Sequence, residues 1–253
     1  MLTIVIGDHH RLFREAIAEW LSRQEDVAAV HEAGNSDQVI DLACREHPDL
    51  IIMDSELPGR DPFDAVFEVH KVKPNCKVLF VAERPYDAYV EAALACGANG
   101  FLPKHEPLSV LKEAMTKIMD TGLFLSKPLL ERLTIKNGQL LLGKPRGGLF
   151  ARLTEREWDL LRLLASGETL KQAAATMHVT YKAADNLKTN ITRKLDIHDR
   201  VALARFAMRE GVVCPAGPDE RVQRRIDHSL LPEALQPLLR ENGAFRETQA
   251  SVG

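Results

Sequence analysis

The chain lacks any apolar run near the roughly 18 residues that a membrane-spanning helix needs, so a helical membrane protein is excluded as a reading. Its opening, MLTIVIGDHH, lacks the basic start and small-residue cleavage site of a secretory signal, and residence in the cytoplasm is the expectation. Cysteine is sparse. Cys44, Cys76, Cys96 and Cys214 stand far apart and form no CxxC pair, which argues against a disulfide framework or a thiolate zinc site and favours packed thiols. A strong excess of either charge is also missing, since 33 Lys+Arg stand against 36 Asp+Glu. What remains is a 253-residue chain with 45% hydrophobic residues, long enough for two cores.

The small net charge hides an uneven spread. Residues 1–121 hold 12 basic against 21 acidic side chains, whereas 122–149 hold 5 against 1 and 150–213 hold 11 against 8. An acidic front and a basic middle suggest two units with different partners, and only the basic one suits a polyanion.

The front alternates strand and helix patterns. LTIVI (Leu2–Ile6), Val27–His31, Leu50–Met53, Val78–Val81 and Gly100–Leu102 read as strands. Helical spacing fills the gaps: Leu12–Leu21, a helix capped by Ser36, Asp64–Val72, Tyr86–Ala95, and a last helix entered through Pro107. This order predicts an α/β fold, with a five-stranded parallel sheet covered on both faces. Ligands of such sheets sit beyond the carboxyl ends of the strands. Asp8, Asp54 and Lys104 each follow or end a strand there, which predicts one crevice holding two carboxylates and an ammonium.

Residues 122–150 carry five glycines and two prolines and read as a linker. Within it, LTIK-NG-QLLL (Leu133–Leu142) predicts a hairpin on an Asn-Gly turn, and 144–148 a hinge. The stretch from Leu153 to Leu195 reads as three short helices. Thr154 with Glu157 forms a capping box, Gly167 ends the first helix, Thr169 caps the second, and Val179–Thr180 turns into the third. That third helix carries Lys182, Asn186, Lys188, Arg193 and Lys194 around an apolar seam of Ala184, Leu187, Ile191 and Leu195. Such a helix packs on one side and offers cations to phosphates and base edges on the other. A fourth helix is expected over Asp199–Glu210. In the extension 214–253, an amphipathic helix between Pro232 and Gly243 and an unstructured tail are both open.

DHHRLFREAI, LIIMDSELPG and ANGFLPK resemble the acidic pocket, phosphoacceptor and lysine segments of bacterial response-regulator receivers. The chain to about Val213 is similar to the LuxR-type (NarL/FixJ) class. The resemblance implies a flavodoxin-like receiver over 1–121, a linker over 122–150, an all-α helix-turn-helix domain over 151–213, and an unmatched extension over 214–253. It implies Asp54 as the phosphorylation site, served by a sensor histidine kinase. Mg²⁺ would be held by Asp54 and the Glu56 carbonyl, with Asp8 near the ion, and Lys104 would pair with phosphate. It places Thr169 and Lys171 near the DNA backbone and makes Lys182, Asn186, Lys188 and Arg193 groove or phosphate contacts. It further implies a homodimer on double-stranded promoter DNA, with half-sites about one helical turn apart, and no enzyme activity of its own.

Several positions depart from that pattern. His9 stands where a second acid is usual and is a poor Mg²⁺ ligand, so a weakened or absent Mg²⁺ site is expected. Ala82 replaces the Ser or Thr whose hydroxyl meets phosphate, and Phe101 replaces a switch aromatic with a ring that only packs. His10 follows His9, and adjacent residues at a strand end are expected to point in different directions. In the effector half, Ala183 replaces a Thr, Leu187 a His, and His178 a turn Gly. The reading favoured is a transcription regulator whose receiver signals weakly or independently of phosphate. A conventional phosphorylation-activated regulator and a protein-docking adaptor with impaired DNA binding are the alternatives.

Overall fold

The computed structural model describes residues 1–136, 139–145 and 148–214. Its front is a doubly wound sheet. Strands β1 (Leu2–Gly7), β2 (Val27–Ala33), β3 (Leu50–Asp54), β4 (Lys77–Ala82) and β5 (Gly100–Pro103) are all parallel, in the order β2-β1-β3-β4-β5. Helices α1 (Arg11–Ser22), α2 (Ser36–Glu46), α3 (Pro62–Val72), α4 (Asp87–Ala95) and α5 (Leu108–Thr121) cover its faces. The central strand LIIMD is buried at every position, because both faces of the sheet are covered. Side chains pointing one way (Val5, Ile51, Met53, Phe80) join α2, α3 and α4. Those pointing the other way (Ile4, Ile6, Ile52, Leu79, Val81) join α1 and α5.

Element boundaries differ from the sequence expectation in instructive places. Asn35, not Ser36, caps α2: its Oδ1 accepts from Gln38 N at 2.8 Å, while Ser36 is buried inside the first turn. Asp61 caps α3 through bonds from Phe63 N and Asp64 N, so that helix begins at Pro62 rather than Asp64. Asp54 is the last strand residue and pairs with Val81, rather than standing beyond the strand.

The two strands of the expected hairpin pair, β6 (Leu133–Lys136) antiparallel to β7 (Gln139–Leu142), while the Asn-Gly turn itself lies outside the described residues. It follows a short helix, α6 (Lys127–Leu130), that the sequence reading missed. The segment is more than a tether. Leu125, Leu133 and Leu142 are buried in the core cluster that also holds α3 and α4. The expected hinge at 144–148 falls partly outside the described residues, as does all of the extension beyond Cys214.

A short 3₁₀ turn (Leu149–Arg152) leads into α7 (Glu155–Ala165), α8 (Leu170–Thr176), α9 (Tyr181–Leu195) and α10 (Arg200–Arg209). The expected capping box of Thr154 with Glu157 is present, and Thr169 caps its helix as expected, within a second box made with Gln172. His178 adopts the left-handed conformation expected of a residue in place of glycine, with φ 52°. The second core packs Phe150, Trp158, Leu160, Leu161, Ile191, Leu195 and Phe206, with Phe150 edge-on to Trp158 at 5.2 Å between ring centroids.

Candidate functional site

Three strand ends build the first site. Backbone bonds carry the sheet just past its formal edge: Asp8 N donates to Ala33 O (3.0 Å), Ser55 N to Val81 O (3.0 Å) and Lys104 N to Ala82 O (2.7 Å). These bonds fix the roots of Asp8, Asp54 and Lys104 at the ends of β1, β3 and β5, with β4 lying between the last two. Gly7 lets β1 approach closely here, since a Cβ would lie 2.7 Å from Val39 Cγ2 and 3.1 Å from Leu57 Cδ2.

The predicted crevice exists. Asp8 and Asp54 are both buried, and Lys104 Nζ lies 2.6 Å from Asp8 Oδ2 and 2.9 Å from Asp54 Oδ2. The ammonium also rests 5.0 Å from the centroid of the Phe13 ring. Two buried carboxylates 46 residues apart are tolerable only with a counter-charge and directed donors. Glu56 N supplies one donor to Asp54 Oδ1 (3.1 Å) and His10 N one to Asp8 Oδ1 (2.8 Å).

The two histidines correct the sequence expectation. They do not point apart. His9 Nδ1 lies 2.9 Å from Asp54 Oδ2, and His10 Nδ1 lies 3.2 Å from Asp8 Oδ1 and 3.4 Å from Lys104 Nζ. Their rings approach to 3.8 Å between centroids. Strand alternation has ended at Asp8: His10 caps α1, and the chain turns so that both rings face the pocket. Ala82 and Phe101 are buried in the sheet.

A path of contacts leads out of this pocket. Glu56, beside Asp54, accepts from the Tyr89 hydroxyl on α4 (3.2 Å), and Tyr89 also hydrogen-bonds Cys214, just beyond α10. Burial pushes the Tyr89 phenol well above its ordinary range. On the same helix Glu91 accepts from Leu142 N at 2.6 Å and receives both its bonds from Arg162 Nη2 of α7 at 3.0 Å. Asp87 pairs with Arg132 of the hairpin segment, and its own N–H donates to Gly211 O at 2.8 Å. Helix α4 is therefore clasped by the hairpin and by the effector helices together. Sequence reasoning missed this cluster; its one signal was Arg162, a charge set between Leu161 and Leu163.

The second site is the outer face of α9. Ala184, Ile191 and Leu195 are buried, and at 100° per residue Lys182, Asn186, Thr189 and Arg193 lie on the opposite stripe. Lys182, Asn186, Lys188 and Arg193 are exposed, as are Thr169 and Lys171 at the start of α8. Lys188 stands on the flank, and Tyr181 is 59% exposed at the helix start. Lys194 is placed differently: its Nζ lies 2.5 Å from Glu157 Oε2, on a side chain only 4% exposed. Burial works against the charged form of Glu157, yet bonds from Lys194 and Thr154 outweigh it and hold the carboxyl below its ordinary value. Lys194 thus closes the α7 capping box against α9.

A crevice of two carboxylates and a lysine at the strand ends of a five-stranded parallel sheet, followed by a four-helix unit with an exposed basic third helix, defines the class of receiver-linked helix-turn-helix regulators. The family comparisons agree. Residues 4–116 match the response regulator receiver domain and residues 151–207 the bacterial regulatory proteins of the luxR family. The chain belongs to the LuxR-family response regulators. It is 28% identical over 212 residues to response regulator protein VraR of Staphylococcus saprophyticus, covering 84% of this chain and 99% of that one. The S. aureus VraR proteins match equally, at 28% over 212 residues. Among solved structures, Salmonella typhimurium RcsB superposes with a TM-score of 0.52 at 21% identity, over 81% of this chain and 97% of that one. A structure of two RcsB dimers on two parallel DNAs gives 0.54 at 21% identity, over the same shares of 81% and 97%. Among the described residues, no helix is long and apolar enough to cross a membrane.

Proposed function

We propose that this response regulator is a dimeric DNA-binding transcription factor whose receiver holds its signalling arrangement without a phosphoryl group. One observation carries the reading. Asp54 Oδ2, the oxygen that would attack phosphorus, is already engaged by Lys104 at 2.9 Å and His9 at 2.9 Å. An incoming phosphoryl group would have to displace both.

The donor set also suits Mg²⁺ poorly. That ion demands six oxygens near 2.1 Å, and the groups around Asp54 are two carboxylates, two imidazoles and an ammonium. No step is therefore assigned to Mg²⁺ here. Instead Lys104 and His9 balance the buried carboxylates, and Glu56 and Tyr89 carry the position of that loop to α4 and Cys214. DNA binding rests on the uncovered basic stripe of α9. RcsB, with the same fold, has been solved as dimers on DNA.

The convergence of Asp8, Asp54 and Lys104 is the one observation that favours the conventional alternative, phosphorylation by a sensor histidine kinase. Acetyl phosphate with Mg²⁺, read by intact mass, separates the two. Little or no gain is expected. A stoichiometric gain of one phosphoryl group, absent in Asp54→Ala, would reverse the reading. The DNA half is tested separately by titration with promoter fragments, and absence of salt-dependent binding would leave the docking-adaptor reading.

A further inference from the structure

We infer that the cluster of Asp8, His9, His10 and Asp54 is a binding site for a divalent transition ion of the Zn²⁺ class. This rests on the reading above, that the pocket has left Mg²⁺-dependent phosphorylation.

Donor chemistry is the first argument. Imidazole nitrogens select Zn²⁺, Ni²⁺ and Cu²⁺ over Mg²⁺, and two imidazoles with two carboxylates complete a four-coordinate zinc shell. Geometry is the second. One ligand atom from each of the four residues lies within 4.8 Å of all the others. The pairs His9 Nδ1–Asp54 Oδ2 and His10 Nδ1–Asp8 Oδ1 stand at 2.9 and 3.2 Å. A tetrahedron with bonds of about 2.05 Å has edges of about 3.3 Å, so both pairs need open only slightly. The imidazoles are already turned inward, their rings close and tilted 43° to each other, although both are exposed and neither is forced in by burial. The carboxylates are buried and pinned from behind by Glu56 N and His10 N.

Charge is the third argument. Asp8 and Asp54 together carry two negative charges in a buried crevice, and Lys104 returns one. Asp8 Oδ2 meets that ammonium at 2.6 Å as an ion pair, but among the described residues it receives no directed hydrogen bond. A divalent ion would neutralise the pair fully. Lys104 would yield its place and move outward along the Phe13 ring it already touches. Ammonium and metal are thus competitors for one position. Four protein ligands leave no open site, so the ion would be structural. It would tie the β1–α1 connection, through Asp8, His9 and His10, to the end of β3.

The test uses the full chain stripped of metal, titrated calorimetrically with Zn²⁺ alone and with Mg²⁺ alone. One equivalent of Zn²⁺ should bind at micromolar concentration or below, unaffected by millimolar Mg²⁺. Losing a ligand costs at least as much as losing an outer-shell partner, about ten- to a hundredfold. His9→Ala, His10→Ala and Asp54→Asn should each weaken Zn²⁺ by that much, whereas Lys104→Met should tighten it. His9→Gln serves if the alanine variant folds poorly, with circular dichroism as the check. Bound Co²⁺ should show the intense visible bands of a tetrahedral site, lost in His9→Gln. Zinc that binds equally well to both histidine variants, or only at millimolar concentration, overturns the inference. That failure leaves the phosphate-independent reading intact, because only phosphoryl gain on Asp54 tests it.

Discussion

Removing single cations from α8 and α9 should change the salt dependence of DNA binding in a pattern set by the structure. Each phosphate contact contributes about −0.9 to the slope of log K against log salt. Lys171, Lys182, Lys188 and Arg193 are exposed and free to reach phosphate, which makes four per protomer. A dimer using all of them should show a slope near −7. Lys182→Ala or Lys188→Ala removes two contacts per dimer and should flatten it by about 1.8. Lys194→Ala should leave the slope alone, since its ammonium is committed to Glu157 at 2.5 Å. Its cost should appear instead as lost stability, on the order of 1–3 kcal/mol for a buried carboxylate that loses its charged donor and keeps only Thr154 N. Fluorescence anisotropy between 50 and 200 mM salt, with thermal unfolding in parallel, gives both readouts. The reasoning fails if Lys194→Ala flattens the slope as much as Lys188→Ala does, or if neither Lys182 nor Lys188 matters.

Three further outcomes are expected. A double-mutant cycle on Arg162→Ala and Glu91→Ala should return a coupling of about 1–3 kcal/mol in chemical denaturation, because the pair is two-pronged and largely buried; a value near zero would mean the clasp on α4 contributes nothing. Burial pushes the Asp87 carboxyl up to about 6, with Arg132 and Arg162 restraining it, against an ordinary 3.8. The folded protein then holds this proton longer than the unfolded chain, so the contribution of Asp87 declines as pH rises from about 4 to about 6 and is level above. Stability curves of wild type and Asp87→Asn should therefore diverge in that window, and parallel curves would contradict the assignment. Phe150→Ala should cost about 3–5 kcal/mol, since its buried ring bridges Trp158 and Phe206; a loss under about 1 kcal/mol would show that the core closes over the gap.

Local signals carried much of this fold. Thr154 with Glu157 specifies a helix start through contacts three residues long and forms as read, as does the Thr169 cap, to which Gln172 adds a second box that was not foreseen. Alternation of apolar runs placed all five strands and so brought Asp8, Asp54 and Lys104 together. Ser36 against Asn35 shows the limit of such signals, because both residues cap well and only tertiary burial of Ser36 decides between them. His9 and His10 show another. Their shared direction depends on how the chain leaves β1 to start α1, which no period encodes. The clasp on α4 was invisible for a simpler reason: Arg162 and Glu91 lie 71 residues apart, and neither residue type announces a partner.

The hairpin leucines bear on how such regulators can be recombined. Leu125, Leu133 and Leu142 sit in the same oily layer as Val66, Phe80 and Val90. A chimera spliced at Thr121 would strip three plugs from the sensing half and carry them away on the other piece. Both fragments would then expose sticky surface, and the first would tend to clump whatever its signal chemistry. A junction placed past Leu142 keeps these three plugs in place, leaves only Cys214 to be replaced from the other piece, and is the sounder place to graft one output onto another input.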